Sequence, residues 1–108
     1  MIFAYTLDKV LAGEKWQTRR IAKPNEKLYE VGKSYAVQPN RGKKAVARIM
    51  ITGLRQEMVG EINEHDAQAE GYESCEAFIA AWQVIHGKRV NLNQIVWVIE
   101  FELQPLKE

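Results

Sequence analysis

Residues 94–103 set the tightest limit on what this chain can fold into. The apolar run Ile95-Val96-Trp97-Val98-Ile99 passes into Phe101 and Leu103 at a period of two, the spacing of a strand. A second β-branched stretch, residues 45–54 with Val46, Ile49, Ile51 and Thr52, predicts a long strand that bends or bulges at Gly53 and continues beyond it. Shorter extended segments are predicted at residues 18–21, leading to Pro24, and at residues 34–38 after a Val31-Gly32 turn. Pro39-Asn40-Arg41-Gly42 is a strong turn signal.

Three helices complete the layout. Leu7, Val10 and Leu11 have the i, i+3, i+4 spacing of one helical face, with Thr6 or Asp8 to start it and Gly13 to end it. Residues 64–70 form a short helix stopped by Gly71. Ser74 then caps a longer one whose apolar stripe is Ala77, Phe78, Ala81, Trp82 and Ile85, closed by Gly87. Trp82 and Trp97 are read as core. The order of helix, strands, two helices and closing strand predicts an α+β fold, a small curved β-sheet or barrel with helices over one side or end.

With 108 residues, 46% hydrophobic and 27% charged, the chain reads as one soluble globular domain. A net charge of +1 argues against an extended, non-specific grip on nucleic acid, while leaving room for a local basic pocket. The single Cys75 excludes an internal disulfide and fits a reducing cytoplasm. No apolar run approaches the ~20 residues of a membrane span, and residues 1–5 lack the basic and apolar regions of a signal peptide. The expected location is cytoplasmic.

The chemistry is concentrated in residues 13–20, Gly-Glu-Lys-Trp-Gln-Thr-Arg-Arg. Lys15 and Thr18 lie three apart where the chain passes from helix to strand, so both can face one pocket. A lysine made basic by burial can activate a neighbouring hydroxyl. The alternative is a solvated helix-end lysine followed by a strand threonine. Arg19 and Arg20 alternate faces, so one can bind a carbonyl or phosphate oxygen while the other is solvated. Trp16, flanked by polar residues, can stack on a heterocycle or act as a structural lid. Glu70, just before the helix-stopping Gly71, is held in a defined position and can orient Lys15; an exposed helix-end glutamate is the alternative.

Other chemistries find little support. His65 and His86 have no partner at ligand spacing, so no metal and no cofactor are called for. Glu73 and Glu76 oppose thiolate formation at Cys75, which is read as packing. The cluster Arg41, Lys43 and Lys44 sits on a hairpin tip, as a phosphate contact or a solvated turn.

Together these residues resemble the ASCH family, small domains with a fold similar to the PUA domain of RNA-modifying proteins. The family's G-x-K-x-x-x-x-R motif is matched by Gly13, Lys15 and Arg20, and the likeness extends through the 69–72 junction, the following helix and the closing strand. Within the family the chain is most similar to small bacterial amidohydrolases that remove the acyl group from N(4)-acetylcytidine. That resemblance implies Lys15, Thr18 and Glu70 as catalytic residues, with Glu73 and Glu64 as alternatives to Glu70. Arg20 from the motif, with Arg19 and Trp16 from their own positions beside it, are read as substrate contacts. Arg19 and the basic hairpin around Arg41 depart from the family pattern. The implied substrate is a modified cytidine or cytosine bearing a linear amide. An RNA-binding module or a ribonuclease using the same basic cleft is the competing reading. A monomer or weak homodimer without membrane attachment is expected.

Overall fold

The computed structural model describes residues 1–23, 29–87 and 90–104; Pro24 lies outside them. Four strands, β1 (Gln17–Ile21), β2 (Ser34–Val37), β3 (Ala47–Met58) and β4 (Ile95–Gln104), form one sheet in the order β1-β4-β3-β2. Every pairing is antiparallel. Helices α1 (Leu7–Leu11), α2 (Glu64–Ala69) and α3 (Cys75–His86) complete the α+β fold.

The closing strand, β4, lies inside the sheet between β1 and β3, and both of its faces are covered. Val96 and Val98 point to one side and Ile99 and Phe101 to the other, because successive strand side chains alternate. Val96 and Val98 pack with Val59, Ile62, Ala67, Phe78 and Trp82. Ile99 and Phe101 pack with Phe3, Val10, Val37, Ile49 and Ile51. Each fully enclosed Val or Ile contributes about 1.5–3 kcal/mol of burial, so these few residues fix where β4 sits. Trp97, predicted as core, is half-buried at the margin of the second cluster.

The expected irregularity in β3 falls between Ile51 and Gly53, where the pairing with β4 shifts register by one residue. Gly53 has a close-approach role there: a Cβ would stand 2.8 Å from Glu100 Oε1. Asn63 caps α2 by accepting from the Asp66 N–H, and Ser74 caps α3 by accepting from the Ala77 N–H. Thr6 occupies the N-cap of α1, but its side chain makes no capping bond. Phe78 and Trp82 are buried as predicted for the α3 stripe, whereas Ile85 is exposed and borders the pocket described below. Among the described residues no helix is long and apolar enough to cross a membrane.

Candidate functional site

Two main-chain hydrogen bonds assemble the site. The Trp16 N–H donates to Ala69 O at the end of α2, and the Phe101 N–H donates to Trp16 O, both at 2.9 Å. The segment between α1 and β1 is thereby held between helix and sheet, with residue 15 opposite residue 70. Glu70 is the C-cap of α2, and Gly71 then takes φ +96°, a conformation that glycine adopts without strain. This turn is packed: a Cβ on Gly71 would lie 2.8 Å from Lys9 Cδ, and Lys9 Nζ donates to the Gly71 carbonyl.

Along β1 the side chains separate by face. Gln17 and Arg19 share one, and Arg19 Nη1 donates to Gln17 Oε1 at 2.6 Å. Thr18 and Arg20 share the other, and Arg20 Nη1 donates to Thr18 Oγ1 at 3.1 Å. Glu70 serves both faces. Its Oε1 accepts from Lys15 Nζ at 2.9 Å and its Oε2 from Arg19 Nη1 at 3.0 Å. Lys15 is 6% exposed and Glu70 2%. A carboxylate that reaches both faces must lie at the sheet's edge, and β1 is an edge strand.

Burial pushes the Lys15 ammonium below its ordinary pKa. Glu70 opposes that shift, while the nearby charges of Arg20 and Lys9 reinforce it. Arg20 is lowered by burial as well, but a guanidinium stays charged. Burial and then the charge of Arg20 lower His86, which favours neutral imidazole.

A cavity of about 510 Å³ opens over these groups, within the usual range for small-molecule sites. Lys15, Thr18, Arg19, Arg20 and Glu70 all line it. Its walls are aromatic, with Phe3, Tyr29, Tyr72, Phe78 and Trp82, and His86 stands beside them. Five of the six predicted site residues therefore converge. Trp16 does not: it lies outside the lining, with its ring edge-on to His65 at 5.8 Å between centroids. The polar flanks that marked Trp16 as available for stacking reflect its place beside the α2 surface.

Two further expectations change in detail. Lys15 donates to Glu70, and no hydrogen bond joins it to Thr18. The Arg19 side chain is fully enclosed, and besides Gln17 its partners are three carboxylates: Glu70, Glu57 and Asp66. Of the three glutamates considered, only Glu70 reaches Lys15. Glu73 is exposed, and Glu64 Oε1 accepts from the Cys75 N–H. Arg41, Lys43 and Lys44 are exposed on the β2–β3 connection and do not line the cavity.

Gln17, Glu57 and Asp66 were not singled out from sequence. A signal for two of them was present: Asp66 and Glu70 are four apart on one helix face, and Gln17 and Arg19 two apart on one strand face. Glu57 offered none, since it lies far along a strand whose course depends on the bulge at Gly53.

Comparison with known proteins bears on the fold. The family model for the ASCH domain matches residues 3–103. An ASCH domain from Lactobacillus crispatus JV V101 is similar in structure, with a TM-score of 0.76 and 19% identity over 89% of this chain and 68% of that one. A protein from Enterococcus faecalis V583, described under the family model DUF984, gives a TM-score of 0.68 and 18% identity over 94% of this chain and 71% of that one. Among curated proteins, none matches.

Proposed function

The chain belongs to the ASCH domain family and has its PUA-like fold, and from that premise we propose that the cavity hydrolyses the exocyclic amide of an N(4)-acylated cytosine or cytidine. One observation carries the reading. A buried lysine with lowered basicity meets Glu70 at 2.9 Å in a pocket that it shares with the Thr18 hydroxyl. A neutral lysine that donates to Glu70 turns its lone pair toward the cavity, as a general base requires. The Thr18 oxygen accepts from Arg20, so its own proton is directed elsewhere and can pass to Lys15 directly or through a water.

The oxygen so activated bonds to the acyl carbon. The proton it gives up moves to Lys15 Nζ, where Glu70 stabilises the ammonium as it forms. Arg20, already beside Thr18, stabilises the oxyanion. The carbon–N(4) bond then breaks, Lys15 returns the proton to the departing amine, and the products are a cytosine amine and a carboxylic acid. If Thr18 itself is the nucleophile, water releases the acyl group in a second, equivalent step. The aromatic walls supply flat apolar surface for the base.

Incubation with N(4)-acetylcytidine, followed by chromatography for cytidine, tests the reading. Lys15→Ala and Thr18→Ala are each expected to lower turnover by about 10²–10⁴-fold, the range for loss of a positioned acid–base group. Near-normal turnover in either variant sinks it. RNA binding is the second reading, supported by the exposed basic turn at Arg41, Lys43 and Lys44. Salt-dependent RNA retention without acyl cleavage would select it.

A further inference from the structure

Arg19 fills a position that the G-x-K-x-x-x-x-R motif leaves open, and the amide-hydrolysis scheme gives it no task. Its position is nonetheless the most fully determined in the site. The guanidinium is enclosed, lies 5.7 Å from the Phe78 ring centre, and spends its donors on Gln17, Glu70, Glu57 and Asp66. Glu57 and Asp66 are in turn held by Arg55, which is 44% exposed at the surface. The network thus runs from the solvent side of β3 and α2 to the carboxylate that holds Lys15.

We propose that Arg19 is a positioning residue that engages the second oxygen of Glu70 and so limits how much of that negative charge reaches Lys15. The inference rests on the reading of Lys15 as general base. Glu70 lies between two cations. Were Lys15 its only partner, the full carboxylate charge would favour the ammonium and remove the base. Arg19, always charged, draws one oxygen to itself. Glu57 and Asp66 set the strength of that pull, because they compensate Arg19 from behind. The other groups facing the pair are Lys9 from α1, Arg20 from β1 and Tyr72 after α2; the two cations disfavour the Lys15 ammonium.

This arrangement makes a test with two signs. In Arg19→Gln, Glu70 turns wholly to Lys15, and the Lys15 titration moves up. In Glu57→Gln, Arg19 is less compensated and pulls harder, so the titration moves down. The Lys15 side-chain NMR signal, identified by its loss in Lys15→Arg, reports both shifts without any substrate. With N(4)-acetylcytidine, the acid limb of the kcat/KM profile follows the same direction. Each unit of upward movement lowers the rate at neutral pH about tenfold.

A packing role alone would lower kcat in both variants with no opposed movement of the titration. Unmoved or same-sign titrations overturn the proposal. If Arg19→Gln does not fold, the direction of the shift in Glu57→Gln decides, because that variant retains Arg19 and all its other partners. If no acylated cytosine is turned over, the amidohydrolase reading fails while the NMR titration still decides the assignment of Arg19.

Discussion

Replacing Glu70 with glutamine tests the site without reference to any substrate. Glutamine preserves shape but removes the charge, and its NH₂ must face either Lys15 Nζ or Arg19 Nη1, donor against donor. Breaking a buried pair in this way typically costs about 3–5 kcal/mol, because the remaining charge is left uncompensated. Arg19 retains Glu57 and Asp66, so the orphaned charge is that of Lys15. Lysine can escape by losing its proton, which sets a ceiling. From its ordinary value of 10.5, deprotonation at pH 7 costs about 5 kcal/mol at ~1.4 kcal/mol per unit. The folded wild-type value is already lowered, so the cost falls below that ceiling.

The pH dependence has a definite sign. Between its lowered folded value and 10.5, Lys15 binds a proton in the unfolded chain and sheds it in the folded one. Its contribution to stability therefore rises with pH across that window. Removing Glu70 removes the chief influence raising the folded value, and the lower edge of the window moves down. The penalty of Glu70→Gln is then largest on the acid side and shrinks as pH climbs through the interval between the two folded values. Urea unfolding followed by tryptophan fluorescence, from about pH 6 to about pH 10, measures this. A penalty below about 1 kcal/mol, or one that stays flat with pH, would mean the pair behaves as an exposed one and would refute the reasoning.

Other perturbations follow from the same contacts. Burial alone would raise the Asp66 carboxyl, but hydrogen bonds from His65, Gln17 and Arg55 and the charge of Arg19 hold it below its ordinary 3.8. Its contribution is present above that value and lost as pH falls through the folded one, so Asp66→Asn should cost about 1–3 kcal/mol at neutral pH and flatten the acid limb of thermal stability. Gly71→Ala should cost about 1–3 kcal/mol in urea unfolding and reduce turnover, because the positive φ and the contact with Lys9 Cδ both resist a Cβ beside Glu70. Phe78→Ala, at a ring 3% exposed and packed against Tyr72, Trp82 and the Arg19 guanidinium, should cost about 3–5 kcal/mol by the same assay.

The elements that announced themselves in the sequence were those with a local cause. Ser74 caps a helix with its own hydroxyl, Gly71 and Gly87 stop helices by their own backbone freedom, and the period-two run of β4 needs no distant partner to be recognised. Lys15, Thr18, Arg20 and Glu70 were also reachable, because spacing and family motif point to them together. The carboxylate partners of Arg19 were not foreseen, because they come from β3 and α2 and sequence separation conceals that balance. Trp16 lies outside the cavity lining and against His65; sequence conceals this too, since exposure to a ligand and exposure to the flank of a helix look alike in a list of neighbours.

The stretch that limits the fold also determines which β1 residues face the chemistry. Thr18 pairs with Ile99 and Arg19 with Val98, and directly paired residues point to the same face. Thr18 and Arg20 thus lie on the Ile99 side, where Lys15 Nζ and the Arg20 guanidinium stand 5.8 Å and 5.2 Å from the Phe3 ring centre. Arg19 lies on the Val98 side, over Phe78. A slip of one residue between β1 and β4 would exchange the two sets, putting Arg19 against Phe3 and Thr18 among the carboxylates. The burial of Val98 and Ile99 on opposite faces of β4 opposes that slip. Hydrophobic register, rather than any contact within the polar site, therefore decides which wall of the cavity each residue joins, Thr18 the Phe3 side with Lys15 and Arg19 the Phe78 side.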